Sequence, residues 1–552
     1  MALIAVISVI IVRLWFVAAF SASPLFEPHP GEHDRTIYNE AARAVAQGHI
    51  WPEQSFDYLP LYPWVLGACY AVFGERVIVA VMLGLVCDVL TVLCVLALAR
   101  RIGAHPLVAL AAGVLYALYP LAVAYSAITM PNTLNTTLVA ALALALQSLD
   151  LRGAAWCFSV GILAGITALG FAGALPFFAA GLAWILIFSP ERMPVRWRGL
   201  ALCLIGCALP LVPVALHNSR AEGQFVLLTT HGGFNFYMGN HERATGYPLR
   251  VRDFRMTARA MLEDAHRAVE QEEGRELTRA ESSAWWAGQG RSFWKEHPRQ
   301  ALRLTLKKLA LFWNFRDVDD LRVLEQLRLT DGLFASRLWP GFAWFSVLGL
   351  IGLLFARNAG VSKVILLTGM FSLVLFFITA RYRLTLIPLM AALGSAGVSN
   401  LRPISRAKIL WSVLLIPALF VVAYPFPMRD LRAVDYHNAA IHVLGTGNAE
   451  RALELVREGL AIDPNSTDLY HAQGIVLARL GRDGEAVQSF LETVTLNPAH
   501  GSGWLNLAIT LARSGRINEA IEVLEHWLEI RPSDGRARAL YNDLREGVGG
   551  RR

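Results

Sequence analysis

Cysteine is scarce, with six residues among 552, at positions 69, 87, 94, 157, 203 and 207. All lie in or beside apolar runs, and none has a histidine at metal-ligand spacing, which excludes a disulfide framework and a zinc site. Cys203 and Cys207 share a helix face four residues apart, a spacing suited to packing rather than bridging. A clustered basic face is missing too. The net charge is +7, but much of the excess falls in short loops between apolar runs, so the chain does not read as a nucleic-acid binder. The first apolar run lacks a small-residue cleavage pattern and is interrupted by Arg13, so it reads as a retained span.

What the chain does have is apolar length. Hydrophobic residues make up 55% and the mean hydropathy is +0.44, which implies a polytopic membrane protein. About eleven stretches approach the ~20 residues a spanning helix needs: roughly 2–22, 77–99, 107–126, 132–149, 154–170, 171–188, 199–217, 338–356, 362–380, 384–400 and 408–425. With a cytoplasmic N-terminus, the inside loops hold Arg100, Arg101, Arg152, Arg192, Arg196, Arg198, Arg357, Lys363, Arg402, Arg406 and Lys408. The short outside loop near Thr129 to Asn132 holds no basic residue, and Arg381 and Arg383 sit in an outside turn, in keeping with the positive-inside rule. Loops of about 23–76 and 218–335, and everything after Pro425, then face away from the cytoplasm. Arg13 and Asp88 are ionisable groups within spans and are expected to face the bundle interior and pair.

Within the long loop, Gln224 to Leu228 is β-branched and aromatic and ends at a glycine-rich turn, whereas Asp253 to Asn314 has helical periodicity. Thr278-Arg279-Ala280-Glu281 makes a capping box that predicts a helix start. After Pro425 a repeat of 34 residues appears in four coincident series: Pro464, Pro498, Pro532; Gly447, Gly481, Gly515; Ala452, Ala486, Ala520; and Tyr436, Tyr470, Trp504. The period and residue types resemble the tetratricopeptide repeat, giving three helix pairs from about 434 to 535 and a capping helix to about 546. Asn438 and Asn506 share a repeat position that often faces the concave groove, where a peptide contact and plain solvation are both open.

The candidate chemistry starts at Asp34, which precedes a helical stretch with Tyr38, Ala41, Ala42 and Val45 on its inner face and Gly48 at its end. The helix dipole favours an ionised carboxylate there, and such a group can take a proton from an attacking hydroxyl or amine. By residue type alone, an aspartate so placed is more often a helix cap than a base.

Asp34 with Tyr38 and Ala42, followed by Pro60-Leu61-Tyr62-Pro63 and Phe73-Gly74, resembles the first extracytoplasmic loop of the glycosyltransferase C superfamily, in particular bacterial relatives of the dolichyl-phosphate-mannose protein mannosyltransferases (glycosyltransferase family 39-like). Further similar stretches follow in order: Tyr119-Pro120 with Tyr125-Ser126; His217-Asn218; Gly232-Gly233, Asn235, Gly239-Asn240 and Thr245-Gly246; His297-Pro298 with Lys307-Lys308; and Arg381-Tyr382-Arg383 with Pro388. Two departures stand out: Asn132 where many relatives have glutamate, and His217 where they have arginine.

The resemblance implies an all-α polytopic fold, residues 1–429, with a small extracytoplasmic loop domain, and a C-terminal α-solenoid of tetratricopeptide repeats over 430–552. It implies a membrane glycosyltransferase of bacterial inner membrane, with the repeats on the periplasmic side, moving a sugar from a polyprenyl-phosphate donor to a protein, lipid or glycan acceptor. Asp34 matches the family's base. The donor phosphate requires pre-positioned positive charge, for which Arg381 and Arg383 are the first candidates and Lys307 and Lys308 the second. Tyr38, Tyr62, His217, Asn218, Gly239 and Asn240 are the candidate pocket residues. Glu53 and Asp57 share the first loop with Asp34 and could join it around a divalent ion, although their spacing carries no metal signature. The repeats are expected to engage a protein or glycan partner, and no nucleic acid. Two other readings stay open: an O-antigen ligase or polymerase, and a non-catalytic membrane-anchored scaffold whose repeats carry the function.

Overall fold

The computed structural model describes residues 1–21, 34–248, 254, 258–330, 332–334, 336, 338–401, 415–426, 429–532 and 534–549. Every regular element among them is helical. The β-branched and aromatic 224–228 run follows the helix Met193–Glu222 as irregular chain, with Phe225 78% exposed. Gly31 to His33 and all of 402–414, where part of the last expected span and its basic residues fall, lie outside the described residues.

The chain divides into two compact units. The first, residues 1–321 with 336–424, is the membrane-embedded part. Among the described residues, three of its helices are long and apolar enough to cross a bilayer: Ala2–Phe20, Val77–Arg101 and Met193–Glu222. Two further apolar helices, Pro106–Ala117 and Pro120–Ser126, meet at 58° across a short break. Pro120 cannot donate a backbone hydrogen bond to continue the ladder, which accounts for the break after Tyr119. Shorter apolar helices include Leu61–Phe73, Ala154–Gly170, Ala174–Phe188, Phe342–Phe355 and Gly360–Leu375. The first of these was not among the eleven stretches read from hydropathy.

Small residues let these helices approach. A Cβ on Gly161 would lie 2.1 Å from the Cys203 carbonyl oxygen and one on Gly165 2.3 Å from that of Cys207, so the two helices touch backbone to backbone. All six cysteines are free. Arg13 and Asp88 pair at 2.6 Å in the interior, and the Tyr116 hydroxyl donates to the same carboxylate at 2.8 Å. Nearly all of this pair is removed from solvent, the condition under which an intramembrane charge is tolerable.

The long loop builds a small helical layer. Thr278 caps Arg279–Glu296 through a complete capping box with Glu281, as its sequence predicts. Phe234, Met238, Phe254, Ala265, Val269, Trp286 and Phe377 form its core.

The second unit, residues 322–335 with 425–552, holds the repeats. Three helix pairs, Arg429–Gly445 with Ala449–Ile462, Thr467–Arg479 with Asp483–Leu496, and Gly501–Arg513 with Ile517–Ile530, precede a final helix Gly535–Gly549. Gly447, Gly481 and Gly515 turn each pair at φ of +90°, +74° and +80°, a region costly for residues with a Cβ. Ala452, Ala486 and Ala520 are fully buried where the helices cross. The segment 322–335 joins this unit from the end of the long loop. Arg322 adopts φ +54° and forms a two-pronged ion pair with Asp435, both side chains buried, while Leu329 packs on the repeat core.

Candidate active site

Asp34 opens the helix Asp34–Ala46, and its carboxylate meets the Arg381 guanidinium at 2.8 Å. The other terminal nitrogen of Arg381 reaches Asp320 at 2.6 Å. All three side chains are nearly closed to solvent, at 12–17% exposure. With both carboxylates ionised, two negative charges and one positive leave the cluster with a net charge of −1. Burial alone would depress the arginine, but Asp320, Tyr382 and Asp34 outweigh it and hold the guanidinium protonated well above its ordinary range.

Backbone pairing brings these residues together. The Ala380 amide donates to the Val318 carbonyl at 2.6 Å and the Ile378 amide to that of Gly246 at 2.9 Å. Asp320 is locked by Thr379, whose hydroxyl donates to the carboxylate at 2.8 Å and accepts from the Asp320 amide at 3.3 Å. Asp319 accepts from the Tyr125 hydroxyl at 2.8 Å, and Asp317 from that of Tyr119 at 2.6 Å. This run of three carboxylates was not singled out from sequence, although Asp317-Val318-Asp319-Asp320 directly after an amphipathic helix is a visible signal.

Tyrosines wall the carboxylate. Tyr38 stands edge-on to Tyr58 at 5.4 Å and to Tyr62 at 5.7 Å. Burial first, and then the negative charge of Asp34, pushes the Tyr38 and Tyr58 phenols up, so both remain hydroxyl donors at physiological pH. Tyr62 hydrogen-bonds the Met130 backbone, and its hydroxyl feels the positive charge of Arg35.

The other expected residues take different places. Arg383 spends its terminal nitrogens on the carbonyls of Leu311, Phe312, Asn314 and Arg316 and on Asp317, with its plane 3.7 Å from the centre of the Phe342 ring. That engagement ties down the 311–317 turn and leaves little for a phosphate. Lys307 lies over the Tyr247 ring at 5.7 Å. Lys308 is fully buried, its ammonium reaching the Asn240 amide oxygen at 3.2 Å. Gly239 is required by packing, because a Cβ there would stand 1.8 Å from the Phe376 carbonyl oxygen. His217 bonds the Gln54 carbonyl at 3.1 Å between Trp51 and Phe56, and Asn218 bridges the Phe56 amide and the Leu228 carbonyl. These two latch the first loop to the long one.

A divalent ion does not fit the Asp34, Glu53 and Asp57 set. Asp34 is engaged by Arg381, and Asp57 by Arg279 and His231. Among the described residues, no three His, Cys, Asp or Glu side chains converge on a metal position.

Burial pushes the Lys308 ammonium down to about 7, with no carboxylate to restore it. Its folded-state value therefore lies below the unfolded one of roughly 10.4. Below about pH 7 both states are charged and the full burial penalty applies; between about 7 and 10.4 the penalty fades as the folded state sheds its proton. Lys308→Met is expected to stabilise the protein by about 1–4 kcal/mol near pH 6. Thermal unfolding in detergent should show a gain in Tm that shrinks towards pH 10.

Residues 57–217 match the family model for dolichyl-phosphate-mannose-protein mannosyltransferase. The matched segment contains Tyr58, Tyr62, Tyr119, Tyr125 and Asn132, which line or brace the site, but it begins after Asp34. Residues 502–534 match the tetratricopeptide repeat. Comparison with curated proteins gives no significant match. Among solved structures, ArnT from Cupriavidus metallidurans is similar in a form bound to undecaprenyl phosphate, with 14% identity over 94% of this chain and 79% of that one and a TM-score of 0.42. Its apo form gives 14% identity over 95% and 79%, with a TM-score of 0.40. The second tetratricopeptide domain of human RPAP3, in complex with an HSP70 peptide, is 18% identical over 21% of this chain and 98% of that one, with a TM-score of 0.21.

Proposed function

We propose that the chain is a membrane glycosyltransferase that moves a sugar from a polyprenyl-phosphate donor to an acceptor outside the cytoplasm, with Asp34 as the base. The observation that carries this is the Asp34–Arg381–Asp320 cluster beside the matched transferase segment. Asp34 takes the proton of the attacking hydroxyl or amine as the new glycosidic bond forms and the sugar–phosphate bond breaks. The phosphate leaves as the anion on the lipid, and the acceptor's proton ends on the Asp34 carboxylate. Because two of its nitrogens serve carboxylates, Arg381 acts as a positioning residue for Asp34 rather than as a clamp for the donor. The repeats recruit the acceptor or an assembly partner. The positive-inside pattern supports a location on the periplasmic face of the inner membrane, which protease protection of the 430–552 region in oriented vesicles tests.

Asp320 tunes the base through Arg381. In Asp320→Asn the guanidinium charge is no longer shared and falls wholly on Asp34, which stabilises the ionised form and weakens it as a proton acceptor. Transfer is expected to fall about tenfold, and the acid limb of kcat/KM to move to lower pH. An unmoved limb would remove Asp320 from the site's electrostatics. The function itself is tested by reconstituting the full chain in nanodiscs with labelled polyprenyl-phosphate sugars and cell-envelope acceptors. Release of polyprenyl phosphate that depends on Asp34 supports the reading, and transfer that depends instead on loop histidines or arginines would favour a ligase.

A further inference from the structure

We infer that the amino end of the helix Asn132–Gln147 is the seat of the transferred sugar, holding its hydroxyls with uncharged groups. This rests on the proposed transferase reading and goes beyond it by placing a subsite and stating its chemistry.

Four side chains in seven residues carry the argument. Thr129, Asn132, Thr133 and Asn135 are 1%, 5%, 3% and 6% exposed, and the Thr129 and Thr133 hydroxyls and the Asn132 and Asn135 amide oxygens have no hydrogen-bond partner. A buried polar atom left so costs about 1–3 kcal/mol, and proteins keep only a few per hundred residues. One turn further in, the pattern stops: Thr136 donates to the Asn132 carbonyl at 2.7 Å, and Thr137 to those of Thr133 and Cys87 at 2.9 and 2.8 Å. Within this helix, the unpartnered polar atoms therefore lie in its first four residues, with Thr129 just before them. That entrance also has no side-chain cap, since Pro131 precedes it, so its first amides are available as donors.

The location fits the reaction. The Asn132 amide nitrogen donates to the backbone carbonyl of Arg381 at 3.2 Å, and Arg381 holds Asp34. That bond also fixes which way the Asn132 amide faces, leaving its oxygen as the free atom. Asn132 and Asn135, three residues apart, are neighbours on the helix.

The chemistry separates a sugar from its phosphate. A phosphate needs donors and positive charge, and two free amide oxygens would repel it. A polyol both donates and accepts, matching two hydroxyls, two amide oxygens and the helix amides.

The test uses the full chain in nanodiscs, with bare undecaprenyl phosphate and undecaprenyl phosphates carrying mannose, glucose, galactose or N-acetylglucosamine as probes, and binding read by tryptophan quenching. At least one sugar-bearing lipid should bind wild type more tightly than the bare lipid. Thr133→Val and Asn135→Leu should each weaken that lipid about threefold to tenfold and leave bare undecaprenyl phosphate unchanged. Equal weakening of both would make the entrance a phosphate seat, while no weakening, or no preference for any sugar in wild type, would also overturn the inference. Neither variant removes a bond present in the structure, so Tm reports folding independently and one failed variant leaves the other decisive. Asp34→Asn should bind like wild type, so a failure of the base assignment appears in transfer and not in these affinities.

Discussion

Asp34→Asn is expected to lower sugar transfer by about 10²–10⁴-fold, the range that general-base catalysis supplies, with the fold intact. The substitution is nearly isosteric, and the new amide oxygen still accepts from Arg381 at the position where the carboxylate now sits at 2.8 Å. What disappears is the capacity to hold the acceptor's proton. Because the tyrosine walls are unchanged, donor affinity should stay within about twofold, so the loss belongs in kcat rather than KM. Arg381→Met provides the opposite perturbation. Without the guanidinium, Asp34 and Asp320 lose the partner that holds them, so transfer should fall while the carboxylate itself remains.

The largest expected effect on stability lies in the repeat unit. Arg322→Ala leaves the buried Asp435 carboxylate without its two-pronged partner, and removing one member of a buried pair typically costs about 3–5 kcal/mol. The backbone compounds the loss, because Arg322 holds φ +54°, a conformation that a residue with a Cβ keeps only when its surroundings impose it. The segment 322–335 should then detach from the helix Arg429–Gly445, and limited proteolysis of the full chain should cut near 322–335 at a temperature where wild type resists. The double variant Arg322→Met with Asp435→Leu, which leaves no buried charge behind, should recover most of the stability. If the single and double variants were equally labile, the ion pair would not be what fastens the segment.

The repeat unit was the most legible part of the sequence. Glycine at 447, 481 and 515 and alanine at 452, 486 and 520 are dictated by turn conformation and helix crossing, so the period could be read directly from residue type. The capping box at Thr278 was legible for the same reason, since both partners lie within four residues. Hydropathy located the apolar helices but not their breaks: the 58° bend depends on one proline, and Leu61–Phe73 is only 13 residues long.

Asp34 and Arg381 were each visible, but their joining was not. They stand 347 positions apart, and no local pattern encodes that pairing. The roles of Arg383 and Lys308 were hidden likewise, because a basic residue near a span end looks the same whether it faces a phosphate or a set of backbone carbonyls. Gly239 read as a pocket residue, yet the Phe376 backbone is what demands it. The segment 322–335 read as loop because its partner Asp435 lies beyond four further apolar helices.

The central claim is that Asp34 is the base of a sugar-transfer reaction, and glycan mass profiling of cells carrying Asp34→Asn against wild type tests it most directly. The account predicts the loss of one envelope glycan mass species from the variant, with the full-length protein still in the membrane at wild-type abundance. An unchanged profile at equal abundance would contradict it.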